Sequence, residues 1–277
     1  MRIFIFAALT GLVIASSANA QTHAQLYPAP RVPVTIADAS LGTVIGTVHT
    51  KDGLVLKEIE RAPRDGKPML LVFHGNESSA MESVHWLAPL VREGYGIVAA
   101  EYREYGGNPG TASEAGLAQD ADASLDRARA LAGTSKLIVI GHSLGAGVAF
   151  GLAKRRQTDA LVTVGAFGRL ADVVSVEKRA ALSDSYDNVG AIAALTEPLY
   201  LIHGTADDTV PFQQAEELRA AATRAKKAGA LFRVIDAGHA LDSLIMVMIL
   251  RAVVAKLDSD GKSVSVTLPS TVTLERF

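Results

Sequence analysis

Short apolar runs recur along the chain, each followed by a stretch of helix length. "MLLVF" (Met69 to Phe73), "IVAAE" (Ile97 to Glu101), "KLIVI" (Lys136 to Ile140), "ALVTV" (Ala160 to Val164), "LYLI" (Leu199 to Ile202) and "LFRVID" (Leu231 to Asp236) are largely hydrophobic. Such runs suit strands buried on both faces, because a strand with one wet face alternates apolar and polar residues. Helical patterns follow near Ala80 to Glu93, Ser113 to Leu131, Leu144 to Arg155, Pro211 to Lys227 and Leu241 to Lys256. Strand and helix in alternation require crossover connections. The pattern therefore predicts an α/β fold, a mainly parallel central sheet with helices on both faces.

The flanks read differently. "TVIGTVHTKDGLVLKEIE" has two β-rich runs around the turn signal "KDG", which predicts an N-terminal hairpin over Thr43 to Glu60. Residues 21–33, "QTHAQLYPAPRVP", are polar and proline-bearing and read as a flexible lead-in. The tail beyond Asp258 is polar and β-prone, which suits either an edge strand or a surface drape. "LIMVMIL" (Leu244 to Leu250) is far too short to span a bilayer and reads as a helix packed on the sheet. Residues 34–277 thus read as one domain, with no repeat period inside it.

Charge and cysteine narrow the function. The 27 basic and 29 acidic residues nearly cancel, leaving a formal net charge of -2 that argues against a nucleic-acid partner. The chain has no cysteine, which removes disulfides, thiolate nucleophiles and cysteine-ligated zinc. Residues 1–20 carry Arg2, the run "IFIFAALTGLVI" and small residues at Ala18 and Ala20, the pattern of a cleaved export signal. The expected mature protein is soluble, periplasmic or secreted, with no stable membrane insertion.

In an open parallel sheet, functional groups gather beyond the carboxyl ends of the strands. Ser143 follows "KLIVI", Asp207 and Asp208 follow "LYLI", His239 follows "LFRVID", and His74, Gly75 and Asn76 follow "MLLVF". The serine lies in "GHSLG", a G-x-S-x-G elbow in which Gly141 and Gly145 clear the way for a sharp strand-to-helix turn. A serine hydroxyl is a weak nucleophile at neutral pH and requires a general base beside it. His239 is the candidate base, and Asp207 or Asp208 the carboxylate that orients it. The backbone N–H groups of Leu144 and Asn76 are the candidate oxyanion donors. His74 is expected to serve a structural role in its loop. No dinucleotide fingerprint, phosphate loop or histidine ligand pair is present, so neither cofactor nor metal is expected.

Together these residues resemble the α/β-hydrolase superfamily, and within it the short-lid serine hydrolases related to esterases and serine aminopeptidase-like proteins. "VFHGNESS" is similar to the oxyanion loop of that group, "GHSLGAGVA" to its elbow, and "DAGHA" to its base loop. "LIHGTADDTVP" resembles its "HGxxDxxVP" stretch, which implies that Asp207 is the triad acid. "EYREYGGNPG" resembles its "DYRGYGxSxG" stretch with departures: Glu101 stands for an Asp, Glu104 for a Gly, and Asn108-Pro109 for a small residue. The resemblance also implies a small cap at about residues 165–198. The implied activity is hydrolysis of a carboxylic ester or related acyl bond of a small-molecule substrate. A non-catalytic binding protein, an acyltransferase or a peptidase on the same fold are the alternatives, since fold alone does not fix function.

Overall fold

The computed structural model describes residues 22–29, 33–35, 37–64, 66–259 and 267–277. The expected export signal lies outside the described residues.

The sheet contains nine strands among the described residues: β1 (Val44–His49), β2 (Val55–Arg61), β3 (Met69–Phe73), β4 (Gly96–Ala100), β5 (Leu137–His142), β6 (Ala160–Val164), β7 (Leu199–Gly204), β8 (Gly229–Val234) and β9 (Val272–Arg276). Their spatial order is β1-β2-β4-β3-β5-β6-β7-β8-β9. Pairing is parallel from β4 through β8, and antiparallel for β1 with β2, β2 with β4, and β8 with β9. The chain leaves β3 to one side to make β4, then crosses to the other side to make β5. That reversal opens a crevice beyond the ends of β3 and β5.

Alternate residues of the central strands enter two separate cores. Met69, Leu71 and Phe73 face the same side as helices α3 (Glu114–Ala132), α4 (Leu144–Ala153) and α8 (Gln213–Arg224). Leu70 and Val72 face α1 (Ala80–Trp86), α2 (Ala88–Arg92) and α9 (Ser243–Asp258). Both faces are covered, which is why the strands read as continuous apolar runs. The "LIMVMIL" stretch lies in α9, with Met246, Val247, Ile249 and Leu250 buried. No helix among the described residues is long and apolar enough to cross a membrane.

Two local expectations change, and one left open is resolved. The single helix expected over Ala80 to Glu93 is two, because Pro89 has no N–H to continue the ladder and its ring crowds the preceding turn. The tail forms β9, an edge strand on β8. The lead-in is ordered where described: residues 22–26 are helical and Tyr27 is 2% exposed. Its proline content gave no sign of the distant side chains that hold it. Between β6 and β7, in the span expected to be a cap, run the short helices α5 (Leu170–Val173), α6 (Val176–Arg179) and α7 (Asn188–Ile192).

The hairpin buries one unusual group. Glu58 on β2 is 1% exposed, and Ser124 of α3 donates to its Oε2 at 2.9 Å while Oε1 has no partner. Burial pushes its pKa from 4.5 up to about 8, with the Glu60 charge adding to the rise and the Ser124 bond opposing it. The folded state therefore binds a proton that the unfolded chain gives up, so stability falls as pH rises between those values. Urea unfolding at pH 5, 7 and 8.5 is expected to register a decline on the order of 3 kcal/mol in the wild type. Glu58→Gln is expected to flatten that dependence; an unchanged slope would refute the buried neutral carboxyl.

Candidate active site

Strand register places the loops of interest on one rim. Phe73 pairs with Gly141, His142 with Val164, Val164 with Ile202, and Gly204 with Val234. The chain segments that leave these level ends carry His74 to Asn76, Ser143, Gly165, Asp207 and His239.

Ser143 joins β5 to α4 with φ 53 and ψ -119, a left-handed backbone that costs a non-glycine residue of order 1–3 kcal/mol. Its N–H donates to Val164 O at 2.9 Å, and its carbonyl accepts from Ala146 N at 2.9 Å. Its side chain makes no capping bond to α4, so the hydroxyl is not spent on the helix N-terminus. The two elbow glycines permit this turn. A Cβ on Gly141 would lie 2.4 Å from Gly145 O, and one on Gly145 would lie 2.1 Å from Phe73 O.

Asp207 and His239 are joined directly: His239 Nδ1 donates to Asp207 Oδ2 at 2.8 Å. Asp207 has no exposed side-chain surface, while the His239 side chain is 17% exposed. His203 Nε2 lies 3.1 Å from the same Oδ2, and Asp207 Oδ1 accepts from Thr209 N at 3.0 Å and Val210 N at 2.8 Å. Burial alone would raise this carboxyl's pKa. The bonds from His203, His239 and Val210 N outweigh it and hold the group well below the usual carboxylate range. Asp208 is exposed. Of the neighbouring aspartates, only Asp207 reaches the imidazole.

Ser143 Oγ and His239 do not form a hydrogen bond, yet both flank the end of β6. Ser143 N–H is bonded to Val164, and a Cβ on the next residue, Gly165, would lie 2.8 Å from His239 Cε1. Such bonds commonly tighten only when substrate is bound. Gly165 also has φ 57. Gly165→Ala is expected to push the imidazole aside and lower kcat/KM by about 100-fold, with a melting temperature only a few degrees lower. Unaltered turnover would show that the ring tolerates displacement.

Asn76 and Leu144 border the same cleft as Ser143, a cavity of about 250 Å³. Neither backbone N–H has an acceptor among the described residues, which leaves both available as donors. Their loop is braced from beneath. Buried His74 has Nδ1 2.7 Å from Gly75 O and Nε2 3.0 Å from Glu101 Oε1, and Glu101 Oε2 accepts from Ala80 N at 3.0 Å. This is the structural role expected of His74, and it explains the Glu at position 101. Asn108 likewise ties β2 to the β4 loop by accepting from Lys57 N at 2.8 Å and donating to Glu101 O at 3.0 Å.

Several supporting residues carried weak sequence signals. His203 stands four residues before Asp207, a spacing visible in "HGTAD", but its buried contact was not. His142 Nε2 lies 3.2 Å from His239 O, and Trp86 Nε1 donates to Leu241 O at 2.9 Å, so the base loop is held at its histidine and again two residues further on. Burial and then the nearby His239 push the His142 pKa down to about 4, so at neutral pH its imidazole is uncharged and Nε2–H is free to donate to that carbonyl. Among the described residues no group of three or more histidines and carboxylates is placed to hold a metal ion.

Comparison with known proteins bears on the family and the fold. A family model described as serine aminopeptidase, S33, matches residues 64–189, and one described as prolyl oligopeptidase family matches residues 166–246. An uncharacterized protein of Mycobacterium tuberculosis is 36% identical over 192 residues, 65% of this chain and 67% of that relative. An esterase of Pyrococcus furiosus shares the fold with a TM-score of 0.65 at 18% identity, covering 83% of this chain and 96% of its own. A puromycin-hydrolyzing peptidase of Mycobacterium tuberculosis also has a TM-score of 0.65, at 16% identity, covering 83% of this chain and 41% of its own. Sheet order, elbow and family matches lead to one assignment: the chain belongs to the α/β-hydrolase superfamily, among its serine aminopeptidase-like hydrolases.

Proposed function

We propose that the protein is an exported serine hydrolase that cleaves carboxylic esters through an acyl-enzyme. The observation that carries this reading is the buried Asp207–His239 pair at 2.8 Å, on the rim that presents Ser143 in a strained turn with its hydroxyl uncommitted. Ser143 Oγ attacks the carbonyl carbon and passes its proton to His239 Nε2. The carbonyl oxygen becomes an oxyanion, received by the N–H groups of Leu144 and Asn76. Collapse expels the alkoxide, which takes the proton from His239 and leaves the acyl group on Ser143. Water then attacks the acyl carbon, again through His239, and releases the carboxylic acid with Ser143 restored.

The cleft favours an ester over an aminopeptide. An aminopeptidase must hold the free ammonium of its substrate, which calls for a carboxylate near the acyl site. The residues around Ser143 here are apolar or neutral apart from Lys178, a cation. Its volume of about 250 Å³ suits a modest acyl group. Export rests on the signal-like pattern of residues 1–20.

The test is a fluorophosphonate probe followed by peptide mapping, with p-nitrophenyl esters and aminoacyl p-nitroanilides assayed side by side. The expected result is an adduct on Ser143 and turnover of the esters well above the anilides. Folded protein that takes no label would overturn the nucleophile, and preference for the anilides would overturn the ester assignment.

A further inference from the structure

We infer that the N-terminal segment, residues 22–27, forms the far wall of the acyl cleft, and that Leu26 limits the length of the acyl chain accepted. This rests on the hydrolase reading above and adds the substrate class: esters of short-chain acids.

Thr22 and Leu26 border the 250 Å³ cleft that contains Ser143. The same two residues, with Leu182 of the cap span, also border a second hollow of about 460 Å³ between the segment and residues 180–184. Leu26 therefore stands in a partition between the two cavities. It is partly buried, and it packs on the same hydrophobic cluster as Val173, Val174 and Leu182. An acyl chain anchored at Ser143 and running along these apolar side chains meets Leu26 before it can enter the second hollow.

The segment is held in place by partners far away in sequence. The Tyr27 hydroxyl donates to Asp184 Oδ2 at 2.7 Å and lies 2.9 Å from the Tyr186 hydroxyl. His23 Nε2 lies 3.1 Å from Glu104 Oε2, which also accepts from Ala112 N at 2.7 Å. Two of these docking residues sit in a conformation that disfavours side chains: Glu104 has φ 72 and Tyr186 has φ 38. Backbone strain at residues other than glycine is retained where surrounding contacts over-determine it. Glu104 holds a backbone conformation that favours glycine, and its carboxylate is what reaches the segment.

The experiment compares kcat/KM for p-nitrophenyl decanoate and butanoate in the wild type, Leu26→Ala and Leu26→Trp. Each methylene that gains an apolar wall contributes about fourfold. Leu26→Ala joins the two cavities and is expected to raise the decanoate-to-butanoate ratio by about tenfold or more. Leu26→Trp thickens the partition and is expected to lower it by about fivefold. Opposite shifts from two replacements at one position are not produced by a general loss of folding. Fluorophosphonate labelling at Ser143 is measured on the same samples. Normal labelling with both ratios within about twofold of wild type would overturn this inference alone. No labelling of the wild type would overturn the hydrolase reading and this inference with it.

Discussion

Ser143→Ala is expected to lower kcat toward p-nitrophenyl butanoate by roughly 10⁶, the scale set by removing the nucleophile from a serine triad. The protein is expected to keep its fold. The serine side chain makes no hydrogen bond to the helix it precedes, and the backbone bonds at this turn, Ser143 N–H to Val164 O and Ala146 N–H to Ser143 O, survive the substitution. The cost of φ 53 is paid equally by alanine, so the melting temperature should move by a degree or two at most. Residual hydrolysis above the uncatalysed rate is also expected, because the free N–H groups of Leu144 and Asn76 still favour a developing oxyanion when water is the attacking group. Steady-state kinetics with a thermal melt on the same preparation checks both halves. Retention of more than about one part in a hundred of the activity would remove Ser143 from the reaction.

How much of this was legible in the sequence depended on whether the requirement was local. The elbow was legible because its demands fall on residues a few positions apart: Gly141 must clear Gly145 O, and Gly145 must clear Phe73 O on the neighbouring strand. The six central strands were legible because burial on both faces leaves few polar residues to interrupt them. Pro89 marks the break between α1 and α2, although the apolar periodicity runs through it. What the sequence concealed were contacts between distant parts of the chain. His203 and Gly165 matter through what they touch, a carboxylate and an imidazole, and neither carries a composition signal of its own. The ordering of residues 22–29 depends on Tyr27 finding Asp184 and Tyr186, more than 150 residues away, as the 157- and 159-residue separations record. A local reading of "QTHAQLYPAPRVP" sees only prolines and polar groups.

Asp207→Asn is expected to lower kcat by about 10⁴, whereas Asp208→Asn changes it by no more than about twofold. The difference follows from the donors around the first carboxylate. Its Oδ1 accepts from Thr209 and Val210 N–H, and its Oδ2 faces the ring nitrogens of His239 and His203. An asparagine there keeps its amide oxygen on the two backbone donors and must turn its NH₂ toward the imidazoles. His203 Nε2 still has Val210 O at 2.8 Å to receive its proton. His239 Nδ1 has no such alternative, so it becomes an acceptor and the ring proton moves to Nε2, the nitrogen required to take the proton from Ser143. The loss is therefore one of tautomer, with the geometry largely preserved. Asp208 is exposed and its nearest side-chain partner is Thr209 Oγ1 at 3.4 Å, so its amide is tolerated. Stability adds a second readout with a defined sign. Because the folded-state pKa of Asp207 is depressed, its charge stabilises the native state above the unfolded-state value near 4, and that contribution is lost as pH falls through the folded-state value. Asp207→Asn should accordingly be less stable than wild type at pH 7, and the gap should narrow below about pH 4. Equal losses of turnover in the two variants would mean that the orienting carboxylate has been misassigned, and a stability gap that does not depend on pH would mean that Asp207 is not held as an anion.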